Sequence, residues 1–386
     1  MTLFDRKSPF GWRVALLLLV VALLAAACGG DAEDTTTTTA GDTTTTTTSD
    51  GGEDTTTTAP PETTTTAPPE PATVSVRLDF LTFNGYHSPF HVADELGYYA
   101  EENLTVSIGE GQGSGSTAQL VSAGSDTFGL VVGTTIVDSV AQGLNIISVA
   151  QHLQFAGFCA IALEGSGIES PQDLEGKQIA SSPSGASGPL IPAFLERHGL
   201  TDVSVVDIDP TTAAPALLEG LVDSWISAAF GFPVQFKEQY DRNTLCFPYR
   251  DVDVDPVGWG ITANKDFVAE NPDVVERFVR ATMRGWQYTL GNPMEAAEIT
   301  SQRVPTTVGP ETGAASLQTI IDNDLPPWAR DGLCYGEHEE AAWVNSLDLA
   351  EEYLGLERRP ELTELYTNEF IPEDGCDWTK EALTGG

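Results

Sequence analysis

From Thr73 to Phe80 the apolar residues Val74, Val76, Leu78 and Phe80 alternate with polar ones, the period of a half-buried strand. Ser88-Pro89 then offers an N-cap and a proline at the first helical position, and Gly97 can end that helix. A second strand is predicted over Thr105 to Ile108. Gly113-Ser114-Gly115-Ser116 leads into a helix through Leu120 and Val121 that closes near Gly124, and Thr127 to Val132 makes a third strand. Strand–helix–strand alternation of this kind specifies an α/β domain with a largely parallel sheet. The pattern resumes with a buried strand over Phe158 to Leu163, a short helix from Ser170-Pro171, and a strand over Gln178 to Ser181. A turn, Pro183-Ser184-Gly185-Ala186-Ser187, opens a helix over Leu190 to Leu195. Val203 to Ile208 and Trp225 to Phe230 then complete a second, smaller sheet. Asn271-Pro272 and Asn292-Pro293 start two more helices. The first carries Val275, Phe278, Val279 and Met283 at helical spacing, and a final helix carries Trp343, Leu347 and Tyr353; both stripes are read as core.

The first 72 residues follow a different pattern. Arg6, Lys7 and Arg13 precede an apolar run from Val14 to Ala27, which reads as a secretory signal and is too short for a comfortable membrane span. Leu24-Ala25-Ala26-Ala27-Cys28 resembles the lipobox of bacterial lipoproteins, with Ala25 where Leu is usual; the alternative is an ordinary cleaved signal. Residues 1–27 are thus read as the signal and Cys28 as the lipidated residue. The stretch to residue 72 holds threonine runs with Asp, Glu, Gly and Pro and cannot bury enough surface to offset its ordering entropy. As a flexible tether it averages roughly 35–40 Å end to end.

Charge and cysteines narrow the field further. The chain has 18 basic and 57 acidic residues, a net charge of -39, which excludes a nucleic-acid partner. Cys159, Cys246, Cys334 and Cys376 remain besides Cys28, and an even number in an exported chain suggests disulfides. Three pairings are open; Cys334–Cys376 and Cys159–Cys246 are favoured. Metal binding is the alternative, but no CxxC spacing occurs and the five histidines are scattered, so neither a metal nor a cofactor is expected.

The order of signals resembles the type II solute-binding proteins of ABC importers, the group with thiamine-precursor, nitrate, sulfonate and taurine binders. Gly97-Tyr98-Tyr99-Ala100-Glu101-Glu102-Asn103-Leu104-Thr105-Val106 is similar to their "GYFxxEGLxV" stretch, and Asp126-Thr127-Phe128-Gly129 to their "DFG" strand. Leu174-Glu175-Gly176-Lys177-Gln178-Ile179-Ala180 is similar to "LKGKKIAV", and Leu218-Glu219-Gly220-Leu221-Val222-Asp223 to "LxxGxVDA". The resemblance covers nearly all of residues 75–372. It implies a two-lobed α/β fold with the ligand in the cleft and closure by hinge motion. One lobe would comprise 73–156 and 257–386, the other 157–256. The expected partners are a small molecule, a permease with its ATPase, and the membrane through the lipid. The protein would be an extracytoplasmic monomer.

The cleft loops agree with that expectation. Ser114, Gly115 and Ser116 on one side, and Ser184, Gly185, Ala186 and Ser187 on the other, open helices whose N–H groups suit an anionic or strongly polar group. The alternative is that they are merely caps and tight turns. Phe83-Asn84-Gly85-Tyr86-His87 lies at the end of the first strand, where open α/β sheets place ligands, and resembles loops of the pyrimidine-binding branch. Asn84 and His87 can hydrogen-bond and Tyr86 can stack, a combination suited to an aromatic heterocycle. Thr134, Phe155 and Phe230 are further candidates, with Trp225 and Phe232 as possible wall. The leading reading is import of a thiamine-related pyrimidine or another flat heterocycle such as a flavin. A small oxyanion is the second, weakened because residues 78 to 176 contain no Arg or Lys. An enzyme is the third, since the fold includes a fungal pyrimidine synthase that consumes its own histidine. Its dense cysteine motif is missing and no Ser/His/Asp arrangement is visible, so no catalysis is expected. A surface sensor that keeps the fold is the fourth.

Overall fold

The computed structural model describes residues 69–81, 85–182, 186–304, 309–329 and 332–385. The signal segment, Cys28, the tether through residue 68, Asn84, Ser184 and Gly185 lie outside the described residues, and Ala72, expected to end the tether, is the first residue of a strand.

Two five-stranded sheets organise the chain. The strands are β1 (Ala72–Arg77), β2 (Leu104–Gly109), β3 (Phe128–Val132), β4 (Ile146–Gln151), β5 (Phe158–Leu163), β6 (Gln178–Ser181), β7 (Ser204–Asp207), β8 (Ser224–Ala228), β9 (Thr244–Pro248) and β10 (Trp259–Asn264). The first sheet runs β2-β1-β3-β10-β4 and the second β7-β6-β8-β5-β9. In β1 the alternation holds, with Val74 and Val76 buried. β3 and β5 are buried along their whole length, as strands covered on both faces must be.

Two expectations need correction. The second sheet is not smaller, because β9 joins it as an edge strand beside β5. The sheets are also less parallel than strand–helix alternation suggests. β1 pairs in parallel with β2 and β3, but β10 runs antiparallel between β3 and β4. β10 arrives from the other lobe rather than through a crossover helix, so the handedness rule for parallel units does not set its direction. β5 enters the second sheet in the same manner, antiparallel to β8 and β9.

The chain crosses between sheets twice, after β4 and before β10. These segments pair with each other: Ala156 N donates to Pro256 O (3.2 Å) and Gly258 N to Gln154 O (3.0 Å). A Cβ at Gly258 would sit 2.2 Å from the Leu153 carbonyl oxygen, so only glycine allows this approach. Helices then cover the sheets. Ser88, expected as an N-cap, is instead the first residue of the helix Ser88–Glu95, because a 3-10 turn over Gly85–His87 runs straight into it. The Asn-Pro starts yield Pro272–Gly291 and Pro293–Arg303, and Val275, Phe278, Val279 and Met283 are fully buried. Cys159 is bonded to Cys246 across β5 and β9, and Cys334 to Cys376 near the C-terminus.

Candidate functional site

The site grows from the end of β1. Just beyond it, Leu78 O accepts from Thr117 Oγ1 (2.9 Å) and Asp79 O accepts from Gly113 N (2.6 Å), which seats the start of the helix Ser114–Ser122 against the strand. Asp79 is 5% exposed and lines a cleft between the sheets. Three donors converge on its carboxylate: Tyr86 Oη (2.9 Å), His87 Nε2 (2.9 Å) and Trp259 Nε1 (2.7 Å). One carboxylate thereby fixes two aromatic rings that come from opposite ends of the sequence, Tyr86 and Trp259, with centroids 5.1 Å apart.

A second layer holds Tyr86 from behind. Trp286 Nε1 donates to His152 Nδ1 (2.9 Å), so the other nitrogen, Nε2, carries the proton and donates to Tyr86 O (2.7 Å). Burial pushes the His152 pKa down to about 3, consistent with this neutral tautomer.

The opposite wall comes from the second sheet. Trp225 on β8 packs on Phe232 with centroids 3.6 Å apart, and Phe230 meets Tyr86 edge-on at 5.3 Å across the cleft. Ser182, Ser187 and Ser227 supply its polar edge, with Ala186 beside them. The cleft and its open mouth together hold about 700 Å³ of empty space. Among the described lining residues Asp79 is the one charged side chain.

Of the residues singled out from the sequence, Tyr86, Ser114, Ala186, Ser187 and Phe230 line this cleft, as do Trp225 and Phe232. His87 lies behind the wall, fully buried, and reaches it only through Asp79. Gly115 and Ser116 face outward on the exposed side of their helix, since the helical turn carries them away from the cleft. Thr134 is buried in the helix Gly133–Ala141 and does not line the cleft. Phe155 belongs to the first crossing, where its ring lies 6.0 Å from the Arg250 guanidinium. Sequence reading missed Asp79, Phe158 and Trp259. Asp79 had a signal: a carboxylate set between the strand residues Leu78 and Phe80, at the end where such sheets bind ligands. Trp259 had none, because its place depends on the pairing of β10.

The structure also brings together a serine and a histidine that the sequence did not connect. Ser148 Oγ is 2.8 Å from His338 Nε2, and His338 Nδ1 is 2.8 Å from Asn368 Oδ1. Ser148 is fully buried, and burial holds the His338 pKa down at about 4. A hydroxyl with no exposed surface offers no nucleophile to a substrate, so this chain ties the C-terminal loops to β4.

A family model described as NMT1/THI5 like matches residues 84–296, more than half of the chain. The chain belongs to the NMT1/THI5-like family. It is 26% identical over 315 residues to a Legionella pneumophila protein named 4-amino-5-hydroxymethyl-2-methylpyrimidine phosphate synthase, covering 78% of this chain and 92% of that one. It is 30% identical over 302 residues to the riboflavin-binding protein RibY of Chloroflexus aurantiacus, covering 74% and 82% respectively. The alkanesulfonate-binding protein SsuA from Xanthomonas axonopodis pv. citri, solved bound to MOPS, superposes with a TM-score of 0.60 over 78% of this chain and 99% of that one. At 14% identity that likeness concerns the fold, which is the two-lobed periplasmic-binding-protein fold.

Proposed function

We propose that this NMT1/THI5-like protein is the extracytoplasmic solute-binding component of an ABC importer, held to the membrane by lipid on Cys28. Its cleft captures a small flat heterocycle such as a thiamine-precursor pyrimidine or a flavin and delivers it, as a monomer, to a permease with its ATPase. One observation carries the reading: rings from both lobes, Tyr86 and Trp259 facing Phe230, Trp225 and Phe232, wall a cleft in which the described lining residues include no cationic side chain. Aromatic walls favour a planar π-system, each ring pair adding about 0.5–1.5 kcal/mol beyond area burial. The names of the relatives point to pyrimidine and flavin chemistry and support the same class. A binding role without catalysis is supported by the lining itself, whose single carboxylate is engaged by three protein donors.

A thermal-shift screen of the protein against hydroxymethylpyrimidine, formylaminopyrimidine, thiamine, riboflavin, nitrate, taurine and alkanesulfonates tests it. A compound at about 100 times its Kd adds about 2.7 kcal/mol, which is several degrees in Tm. A shift with a pyrimidine or flavin supports the reading; a shift with nitrate or sulfonates alone overturns the heterocycle. Product formation from a pyrimidine precursor would overturn the non-enzyme role.

A further inference from the structure

The charge inside the cleft separates classes of heterocycle, an inference that rests on the reading above. The carboxylate of Asp79, a residue 5% exposed, sits on the wall of the site. Tyr86 and Trp259 reach it as neutral donors, and His87 donates through Nε2 while its buried Nδ1 has no partner. Arg77, near Asp79 in sequence, turns away to Asp126 (2.9 Å) and does not line the cleft.

Two helix ends act in the opposite sense. The helix Ser114–Ser122 begins on the wall, and so does Phe232–Tyr240. Each end carries about half a charge, and Pro233 removes one N–H from the first turn of the second. The whole charge of a carboxylate bonded into the wall outweighs them for any group placed near it.

Hydrogen-bond capacity sets how Asp79 acts. A carboxylate has about four acceptor positions; Tyr86 Oη lies within reach of both oxygens (3.0 and 2.9 Å), beside His87 Nε2 on one and Trp259 Nε1 on the other, so the scaffold surrounds all four. Asp79 therefore acts on the cargo through its charge and not through a vacant acceptor. Across the cleft Ser187 and Ser227 place hydroxyls on the lining.

We propose that the cargo is an uncharged or cationic heteroaromatic compound, and that the site rejects the phosphorylated form of the same ring. Two unit charges about 6 Å apart at an effective dielectric of about 20 correspond to about 100-fold in affinity. A cell that needs the phosphate ester must then add the phosphate after uptake, so a phosphotransfer step follows the importer. The contrast has point because one relative is named for a pyrimidine phosphate.

The test uses matched pairs on the full chain, read by tryptophan fluorescence because Trp225 and Trp259 line the cleft. The pairs are hydroxymethylpyrimidine with its phosphate, and riboflavin with flavin mononucleotide. The expected result is that at least one unphosphorylated member binds and its phosphate binds about 100-fold more weakly. Asp79→Asn, which keeps the shape, then narrows that gap to within about tenfold. A phosphate that binds as tightly as its parent overturns the proposal, and so does a gap unchanged in the Asn variant. A second arm titrates inorganic phosphate, sulfate and nitrate against chloride at matched ionic strength. Saturable binding of any of them to the wild-type protein also overturns it. If no heterocycle binds, the importer reading for heterocycles fails, while anions that bind only to Asp79→Asn still support the charge filter.

Discussion

Ser316 offers a perturbation whose two consequences separate cleanly. It lies on the helix Pro310–Asp322, 2% exposed, and its hydroxyl touches both sides of the cleft. Oγ accepts from Gly85 N (3.0 Å), next to Tyr86, and donates to Phe230 O (2.6 Å) on the opposite wall. On the proposed division of the chain into lobes, the first bond stays within one lobe and the second crosses between them, so separation of the lobes would break only the second. In Ser316→Ala the Phe230 carbonyl is left buried and unsatisfied in the closed form but meets water in an open one. Leaving a buried acceptor unpaired costs about 1–3 kcal/mol, all of it charged to closure. If cargo binds to the closed form, a loss of about 2 kcal/mol weakens affinity about 30-fold. The effect should fall on the dissociation rate, since opening is what the bond resists. Stopped-flow fluorescence on the heterocycle found by screening measures that rate, and urea unfolding measures the separate, intralobe loss. Affinity unchanged within about threefold, together with lowered stability, would show that the Phe230 contact does nothing for closure and would refute the reasoning.

Other outcomes follow from packing, linkage and ring chemistry. Phe278 stacks on Phe128 at 3.9 Å and on Tyr99 at 5.4 Å, so Phe278→Ala should cost about 3–5 kcal/mol in chemical denaturation; a loss below about 1 would contradict it. Replacing Cys159 and Cys246 together by Ala frees a loop spanning 87 residues and should cost about 4 kcal/mol in the same assay. Acid should destabilise the fold in a defined window. The pKa values of His91 and His152 are lowered to about 3 and that of His338 to about 4, mainly by burial, from 6.5. Depressed folded values mean stability is complete above the unfolded pKa and is lost as pH falls from about 6.5 toward 4. Burial raises the Asp255 pKa to about 6 and opposes this by one proton, so unfolding near pH 5 takes up about two protons, about 2.7 kcal/mol per pH unit. Stability that stays flat between pH 7 and 5 would rule out that account. Trp225→Ala should weaken binding of a flat heterocycle tenfold or more, as isothermal calorimetry would report; affinity unchanged within about threefold would contradict a stacking role for the indole.

How much of this was written locally in the chain depends on what sets each element. β5 and β6 fall where the sequence predicts them, since a short apolar run between turn residues is itself the signal. β4, Ile146–Gln151, shows no alternation because it is buried on nearly every position, and a strand covered on both faces has no period to read. β9 is half-buried throughout and ends on Pro248, which local rules demote, and it survives at the edge of its sheet, where proline is tolerated. β10 is specified by pairing with β3 and β4 over more than a hundred residues, which no window can contain. The site follows the same division. Tyr86, Ser114 and Ser187 were legible because loops at strand ends carry their own chemistry. Gly115 and Ser116 follow Ser114 round the helix onto its exposed side, since spacing along the chain does not say which face of a helix meets the cleft. Trp259 entered only with β10.

Family membership does not by itself choose between capture and catalysis, because a synthase and a binding protein both stand among the named relatives. The organisation of Asp79 bears on that choice. A general acid or base must exchange its proton with substrate, which requires an acceptor not already committed to the scaffold. Here the carboxylate holds a phenol, an imidazole and an indole in place at 2.7–2.9 Å. Releasing any of them would let Tyr86 or Trp259 turn and would open the aromatic wall that a flat ring needs. A group so placed is worth more as a fixed charge than as a shuttle. That is the use a binding protein has for it: the rings supply affinity without regard to charge, and the carboxylate supplies the discrimination that stacking cannot.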